Sequence, residues 1–206
     1  MLTSQSADHD IRTIATTVHG RYLLRPGPPE RLLVGFHGYA ESAAVSLREM
    51  LSIPGIGAWS VAAVQALHRF YTRDQNVVAN WMTREDRELA IADNTEYVRR
   101  VVAELPPAKT LVFLGFSQGT AMAYRAAAAI PCQGVIALGG DVPPDVPASS
   151  LPRVLIGRGT RDEWYSAEKL QKDVRYLEDV TTCVFDGGHE WSDEFRRAAG
   201  EFLMRE

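Results

Sequence analysis

A serine near the middle of the chain stands in a setting that could make it a nucleophile. Residues 115–119 read Gly-Phe-Ser-Gln-Gly, so Gly115 and Gly119 flank Ser117 two positions away on either side. An apolar, strand-like run precedes this pentapeptide, and a run of good helix formers follows it. A sharp turn from strand to helix holds a serine with its hydroxyl exposed, and bulky side chains two positions away would collide there. The pattern predicts such a turn, with Ser117 presented to a substrate.

A serine hydroxyl is a weak nucleophile at neutral pH, so it needs an imidazole as base and an acid that orients the imidazole. In hydrolases that carry such a serine at a strand-to-helix turn, the chain order is serine, acid, histidine. The acid follows a late strand of the sheet, and the histidine follows the last strand. Asp162 and His189 fit these two positions. Asp141 and Asp186 are alternatives for the acid. However, Asp141 follows a strand that comes one too early, and we expect Asp186 to shape the loop before His189.

Hydrolysis through an acyl-enzyme also requires backbone N–H donors for the oxyanion. One comes from the residue after the nucleophile, here Gln118, and the other from a loop after an early strand. An apolar run near the start of the chain leads into a His-Gly turn, where we expect the N–H of Tyr39 to be the second donor. Gly38 and Ala40 are the neighbouring alternatives. We expect His37 to brace this turn by hydrogen bonding and to have no catalytic role.

The elements that must position these residues are visible as apolar, β-rich runs separated by segments of helical periodicity. This alternation is typical of an α/β fold with a mostly parallel central sheet and helices on both faces. Residues 11–24 predict one or two antiparallel edge strands, and Thr83 and Asp86 are expected to cap a helix. The length predicts one domain over residues 1–206, with residues 1–10 flexible. The runs cover residues 32–36, 60–65, 110–114, 134–138, 153–157 and 181–185.

Composition excludes several classes of function. A net charge of −4 without a basic stripe argues against a nucleic-acid partner. No apolar stretch approaches the roughly 20 residues of a membrane-spanning helix. The polar first ten residues lack the apolar centre of a signal peptide, so we expect a cytoplasmic protein. No metal-binding spacing occurs, and the predicted chemistry needs no cofactor.

A chain of this length leaves no room for a large inserted cap, so the cleft should be open and walled by loops that follow strands. Aromatic and apolar residues near the predicted strand ends are candidates for this wall. They favour an apolar acyl or aryl group of modest size. The candidates for the wall are Tyr39, Trp59, Phe70, Tyr71, Trp81, Met82, Trp164 and Trp191. Of these, the predicted substrate-binding residues are Trp59, Trp81, Met82, Trp164 and Trp191.

With Phe-His-Gly at residues 36–38, Gly-Phe-Ser-Gln-Gly at 115–119, Asp162 and Gly-Gly-His-Glu-Trp at 187–191, the chain resembles the phospholipase/carboxylesterase family of the α/β-hydrolase superfamily, whose relatives include acyl-protein thioesterases. The resemblance covers most of the chain from residue 32 on. The resemblance implies a Ser-His-Asp triad, an oxyanion hole and a homodimer. Thr120 and Arg158 stand where family members often carry a glycine and a histidine.

Three functions are compatible with these patterns. The first is a serine hydrolase acting on a small ester, with a short to medium-chain carboxylic acyl group, or on a thioester or lysophospholipid-like ester. The second is a non-catalytic protein of the same fold that binds a small apolar ligand in the same pocket. The third is a peptidase, which would need an extended cleft. A complete set of Ser117, Asp162 and His189 favours the first, because a binding protein does not need all three.

Overall fold

The computed structural model describes residues 10–205, and its strands and helices follow the alternation seen in the sequence. The predicted flexibility of residues 1–10 lies outside this range except at residue 10. Six of the strands match the six apolar runs to within two residues at either end. The strands are β1 (Arg21–Arg25), β2 (Arg31–Phe36), β3 (Ser60–Gln65), β4 (His68–Tyr71), β5 (Val77–Asn80), β6 (Thr110–Phe116), β7 (Gly134–Leu138), β8 (Arg153–Gly159) and β9 (Val180–Phe185). The helices are α1 (Ala43–Leu51), α2 (Arg87–Glu104), α3 (Gln118–Ala129), α4 (Ala167–Tyr176) and α5 (Asp193–Met204).

Seven strands form the central sheet in the order β1-β3-β2-β6-β7-β8-β9. β1 pairs with β3 antiparallel, and every other neighbouring pair in this sheet is parallel. The carboxyl ends of β2, β6, β8 and β9 therefore lie along one edge of the sheet. The loops that follow these four strands are therefore close together. In open α/β sheets, ligands bind at this edge.

Helices cover both faces of the sheet, which confirms the predicted architecture. On one face, buried residues of α2 and α3, such as Val98 and Met122, pack against the sheet. On the other face, Met50 of α1 and Phe195 of α5 occupy the core. The inner strands β2, β3, β6 and β7 are buried along almost their whole length, because both of their faces are covered.

A short antiparallel hairpin of β4 and β5 was not expected from the sequence. Its first strand is largely exposed and has no apolar run, so periodicity gives little sign of it. A bridge between Glu41 and Ala79 attaches the hairpin to the loop after β2. The hairpin therefore borders the edge of the sheet at which β2 ends, where we expected only loops.

The start of α2 differs from the prediction. The helix begins at Arg87, and Asp86 before it has a φ of 47° and makes no side-chain capping bond. The Thr83 hydroxyl donates to the Glu85 carbonyl instead of accepting from the helix. The prediction that Thr83 and Asp86 cap this helix is therefore wrong. No helix among the described residues is both long enough and apolar enough to cross a membrane.

Candidate active site

Ser117 lies at the turn between β6 and α3, with the unusual backbone angles φ 52° and ψ −119°. Its N–H donates to the Leu138 carbonyl of the neighbouring strand at 2.8 Å, which fixes the turn against the sheet. A Cβ at Gly115 would lie 2.3 Å from the Gly119 carbonyl oxygen, and one at Gly119 would lie 2.2 Å from the Phe36 carbonyl oxygen. Both distances are shorter than atoms tolerate. Glycine is thus required at both positions for α3 to approach the sheet this closely.

The histidine and the acid predicted from chain order meet Ser117 in space. His189 Nε2 lies 2.7 Å from Ser117 Oγ, and His189 Nδ1 lies 2.8 Å from Asp162 Oδ2. The second carboxylate oxygen of Asp162 accepts the backbone N–H groups of Trp164 and Tyr165, each at 2.9 Å. With Asp162 ionised, Nδ1 is the donor to the carboxylate, and Nε2 is left to accept the serine proton. This geometry suits general-base activation of the serine.

Neither alternative acid contacts His189. Asp186 is highly exposed, and its carboxylate pairs with the Arg161 guanidinium and accepts from the Thr160 hydroxyl at 3.3 Å. It therefore ties together the two loops that follow β8 and β9, as expected of a loop-shaping residue. The Asp141 carboxylate is also exposed and lies 4.0 Å from Lys169 Nζ.

The acid loop, residues 160–165, is held from two sides. Arg158, buried at the end of β8, donates to the carbonyls of Tyr165 at 2.7 Å and Thr160 at 3.3 Å, one at each end of the loop. The Thr160 N–H donates to the Phe185 carbonyl at 2.8 Å, which joins the acid loop to the end of β9. Arg158 is one of the two departures from the family pattern, and here it fixes the loop that carries Asp162.

Thr120, the other departure, lies within the turn itself. Its hydroxyl donates to the Ser117 carbonyl at 2.7 Å, and its N–H donates to the same oxygen at 3.0 Å. The threonine therefore supports the backbone of the nucleophile.

The His-Gly loop, residues 37–41, leaves one of its N–H groups available. The Gly38 N–H donates to the Glu41 carboxylate at 2.7 Å. The N–H groups of Ala40 and Glu41 donate to the carbonyls of Ala79 and Gly38 at 3.1 and 3.3 Å. Among the described residues, no acceptor faces the Tyr39 N–H, nor the Gln118 N–H in the first turn of α3. Of the three candidates for the second oxyanion donor, Tyr39 alone is not already engaged.

His37 is fully buried and braces the His-Gly loop. Its Nδ1 donates to the Gly38 carbonyl at 2.7 Å, and its Nε2 accepts the Ala66 N–H at 3.1 Å. Burial lowers the pKa of His37 from 6.5 to about 4, against the opposing effect of the bond to Gly38. The ring is therefore neutral at physiological pH and keeps the tautomer that this pair of bonds requires.

The side chain of Gln118 holds the nucleophile turn against the segment after β5. Its Oε1 accepts the Trp81 N–H at 2.8 Å, and its Nε2 donates to the Met82 carbonyl at 2.9 Å. The Trp81 indole in turn donates to the His37 carbonyl at 2.9 Å. The two segments that carry the candidate oxyanion donors are thus linked through residues 81 and 82, a connection that sequence spacing did not reveal.

Two of the predicted substrate contacts are wrong. Trp59 is only 2% exposed and precedes β3, at the edge of the sheet opposite to Ser117. The sequence marked it as lying near a strand end without distinguishing the start of the strand from its finish. The side chain of Trp81 is fully buried, packing edge-on against Phe36 with 5.5 Å between ring centroids. It supports the site from behind and does not line it.

The other three candidates lie closer to the surface. Met82 is half-buried and packs against the core on the α2 and α3 face. Trp164 is 74% exposed on the acid loop, next to Tyr165. Trp191 is half-buried, and its ring lies 6.1 Å from that of Phe116. Trp164 and Trp191 are therefore on the loops that carry the acid and the histidine.

Two further aromatic residues border the site, of which Phe70 is one of the candidates for the wall and Phe116 is not. The ring of Phe116 lies 5.1 Å from the His189 imidazole, between the histidine and Trp191. The ring of Phe70, on the β4–β5 hairpin, lies 5.8 Å from the exposed ring of Tyr39. Phe116 could have been found from its place next to Ser117, and Phe70 reaches Tyr39 through the β4–β5 hairpin.

The arrangement brings together a candidate nucleophile, a candidate base, an acid that can orient it and two N–H donors without an acceptor among the described residues. These groups can transfer an acyl group from an ester to water. Within residues 10–205, no cluster of three or more His, Cys, Asp or Glu side chains could hold a metal ion.

The fold is similar to that of several solved structures. The phospholipase/carboxylesterase from Dyadobacter fermentans DSM 18053 superimposes with a TM-score of 0.71 at 20% identity, over 92% of this chain and 99% of that one. Acyl-protein thioesterase 2 from Zea mays gives a TM-score of 0.73 at 16% identity, covering 91% and 99%. Esterase PE8 gives 0.69 at 21% identity, also covering 91% and 99%. A scan against protein-family models and a search of curated proteins each found no match. At this level of identity the likeness establishes the fold, in agreement with the resemblance noted in the sequence.

Proposed function

We propose that this protein is a carboxylesterase-type serine hydrolase that cleaves small esters through an acyl-enzyme on Ser117. The observation that carries the proposal is the continuous chain of contacts from Ser117 Oγ through His189 to Asp162, at 2.7 and 2.8 Å. The fold, shared with proteins described as esterases and thioesterases, supports the same reaction class.

In the first half of the reaction, Ser117 Oγ attacks the ester carbonyl carbon while its proton passes to His189 Nε2. The N–H groups of Tyr39 and Gln118 stabilise the negative oxygen of the tetrahedral intermediate. The positive end of α3 adds to this stabilisation, because Gln118 is the first residue of the helix. The alcohol then leaves with the proton from His189. In the second half, His189 removes a proton from water as the water oxygen attacks the acyl carbon. The bond to Ser117 Oγ then breaks, the proton passes from His189 to Oγ, and the acid is released.

The acyl group is proposed to be short to medium in length. Without Trp59 and Trp81, the aromatic residues around the triad are Phe116 at the end of β6 and three residues on loops, Tyr39, Trp164 and Trp191. Trp164 and Tyr39 are strongly exposed, and Trp191 is half-buried. Such a site offers an apolar surface near the reacting atoms but encloses no long chain. Thioesters and lysophospholipid-like esters present the same carbonyl chemistry and belong to the proposal as further substrates.

The test is hydrolysis of nitrophenyl esters from acetate to palmitate by the wild type, by Ser117→Ala and by Ser52→Ala. Ser52 is an exposed serine whose hydroxyl donates to the Arg48 carbonyl, so it is a control away from the site. We expect the Ser117→Ala variant to lose activity on the order of a thousandfold or more, and Ser52→Ala to retain it. Activity should peak at a short or medium acyl chain. Equal activity in the wild type and Ser117→Ala would refute the proposal, and a preference for palmitate would refute the modest acyl pocket.

The non-catalytic alternative predicts a different result. A folded wild type that binds short apolar esters but hydrolyses none of them would support a ligand-binding protein. The cytoplasmic location and the homodimer remain predictions from the sequence and from the family resemblance.

A further inference from the structure

The mechanism above makes no use of Glu41, although its carboxylate lies within the His-Gly loop. Glu41 Oε2 accepts the Gly38 N–H at 2.7 Å, a short bond of the kind that a charged acceptor makes. In return the Glu41 N–H donates to the Gly38 carbonyl at 3.3 Å. The two residues therefore close the loop around Tyr39 and Ala40.

This closure holds the backbone of the loop in an intrinsically unfavourable conformation. Ala40 has a φ of 57°, which is unfavourable for a residue with a Cβ. The Ala40 N–H and the Glu41 carbonyl bond to Ala79 of the hairpin, at 3.1 and 2.9 Å. With these groups engaged, the Tyr39 N–H is the one left for a ligand. Two side chains fix the amino-terminal half of this turn: the Glu41 carboxylate holds the Gly38 N–H, and the His37 imidazole holds the Gly38 carbonyl.

Among residues 10–205, no cationic side chain forms an ion pair with the Glu41 carboxylate, and its surroundings disfavour the charged form. Burial raises its pKa, and the nearby carboxylate of Glu49 adds to this effect. The Gly38 N–H, His189 and Arg48 act in the opposite direction. Glu49 itself pairs with the Arg196 guanidinium at 2.5 Å. Partial burial of the Glu41 carboxylate costs solvation free energy. Its presence there despite this cost indicates that its bond to the Gly38 N–H is important for the loop.

We propose that Glu41 is a positioning residue of the esterase site, whose side chain holds the His-Gly loop so that the Tyr39 N–H can bind the oxyanion. The inference rests on the proposed function. Among the described residues, Glu41 makes no hydrogen bond to Ser117 or His189, so its bonded contact with the site passes through the loop backbone. Its removal should therefore weaken binding of the tetrahedral state more than binding of a ground-state ligand.

Two variants of similar size separate the hydrogen bond from packing. Glu41→Gln keeps an oxygen acceptor for the Gly38 N–H, whereas Glu41→Met keeps the volume and removes the acceptor. Glu49→Gln is the control, because it removes a nearby carboxylate that does not bond to the loop. For each variant, kcat and KM are measured at pH 8, together with the affinities for two inhibitors. The first is an alkyl trifluoromethyl ketone, which forms a tetrahedral adduct with a serine. The second is the matching secondary alcohol, which forms no adduct.

We expect Glu41→Met to lower kcat by about tenfold to a hundredfold and to weaken trifluoromethyl ketone binding by a similar factor, with KM and alcohol affinity within twofold of the wild type. Glu41→Gln should recover most of both losses, and Glu49→Gln should behave as the wild type. The proposal is overturned if Glu41→Met retains wild-type kcat, if it weakens the alcohol as much as the ketone, or if Glu41→Gln is as impaired as Glu41→Met.

If Glu41→Met does not fold, the comparison is made with Glu41→Asp, which keeps the charge but shortens its reach, and the same losses are expected. An inactive wild type would instead overturn the proposed function. The two failures are therefore distinguishable, because the Glu41 comparison requires an active enzyme in which Ser117→Ala is inactive.

Discussion

At the scale of single residues, the site depends on which carboxylate faces His189, and nearness in sequence does not decide this. Asp186 is three positions from His189 but projects to solvent at the end of β9. Asp162 is far from His189 in sequence, yet its carboxylate is almost fully buried and lies against the imidazole. Two backbone N–H bonds to the other oxygen of Asp162 aim the carboxylate and stabilise its charge.

We predict that Asp162→Asn lowers kcat by several orders of magnitude, on the order of ten-thousandfold as in the comparable serine protease variant. The amide would offer His189 the wrong partner and favour the wrong tautomer. Asp186→Asn is the matched control and should change kcat by less than about threefold, since it affects an exposed loop contact. Ester hydrolysis by both variants measures this directly. A larger loss in Asp186→Asn than in Asp162→Asn would reassign the acid.

His37 gives a prediction about pH and stability. Its folded-state pKa of about 4 lies below the 6.5 of the unfolded chain. As the pH falls below 6.5, the His37 imidazole binds a proton in the unfolded state but not in the folded state. Protonation therefore stabilises the unfolded state and lowers the free energy of unfolding. Over the interval from pH 7 to pH 4 this loss amounts to about 3 kcal/mol.

The measurement is urea unfolding of the wild type and His37→Asn at several pH values. The variant should be less stable at pH 7, because it loses the acceptor for the Ala66 N–H, but it has no imidazole to titrate. The difference in free energy of unfolding between the two proteins should therefore shrink by about 3 kcal/mol from pH 7 to pH 4. A difference that stays constant over this range would mean that His37 is not held neutral in the folded protein.

At the scale of elements, the turn from β6 to α3 is what places Ser117 and Gln118 together. The helix packs so close to β2 that Gly119 lies against the Phe36 backbone. A Cβ added at Gly119 would be 2.2 Å from the Phe36 carbonyl oxygen. A methyl group there would push the start of α3 away from the sheet. Both the serine hydroxyl and the Gln118 N–H would move with the helix.

We predict that Gly119→Ala lowers the free energy of unfolding by about 1–3 kcal/mol, the range for overpacked cores, and kcat/KM by tenfold or more. The matched control is Gly57→Ala, where a Cβ would meet no atom within 4 Å. That variant should keep wild-type activity and stability or gain slightly in stability. Thermal unfolding and ester hydrolysis of the two variants test the prediction. Wild-type activity and stability in Gly119→Ala would show that α3 does not need its close approach.

Elements with strong apolar runs could be predicted from the sequence, and those formed by pairing could not. β3 and β7 have the bounds expected from their hydrophobic patterns, because an inner strand must be apolar on both faces. The β4–β5 hairpin is stabilised by its mutual pairing and its bridge to Glu41, which no local pattern records. The same limit explains the error at Trp59, since an apolar run does not say at which end of the strand the site lies.

At the scale of the whole molecule, the sheet divides the interior into two cores that share one set of strands. Each core has one tryptophan that is buried: Trp59 on the α1 and α5 face, and Trp81 on the α2 and α3 face. Both are nearly or fully buried. Because the two cores meet through the same strands, they should unfold together as one domain.

We predict a single unfolding transition at both faces. Variants that retain only Trp59 or only Trp81, with the other tryptophans replaced by phenylalanine, report on each core by fluorescence. Each variant's fluorescence midpoint in urea should coincide with the midpoint of its far-UV circular dichroism. Midpoints that differ between fluorescence and circular dichroism, in either variant, would contradict the assignment of one cooperative domain.

The general position of the candidate site follows from chain order, but its supporting contacts do not. A parallel sheet brings the ends of β6, β8 and β9 to one edge, so Ser117, Asp162 and His189 could be proposed from their places after three apolar runs. The bonds from Gln118 to residues 81 and 82, and from Glu41 to Gly38, cross between segments or close a turn. Such contacts depend on the exact path of the loops, which composition and periodicity do not specify.

In the proposed mechanism, His189 activates Ser117 for covalent chemistry. The rate and position of fluorophosphonate labelling measure this activation. The wild type, Ser117→Ala and His189→Ala are treated at neutral pH, and the adduct is located by peptide mass spectrometry. We predict a rapid adduct on Ser117 in the wild type, none in Ser117→Ala, and labelling slower by about a hundredfold or more in His189→Ala. An adduct on another residue, or an equal rate in the wild type and His189→Ala, would contradict the account.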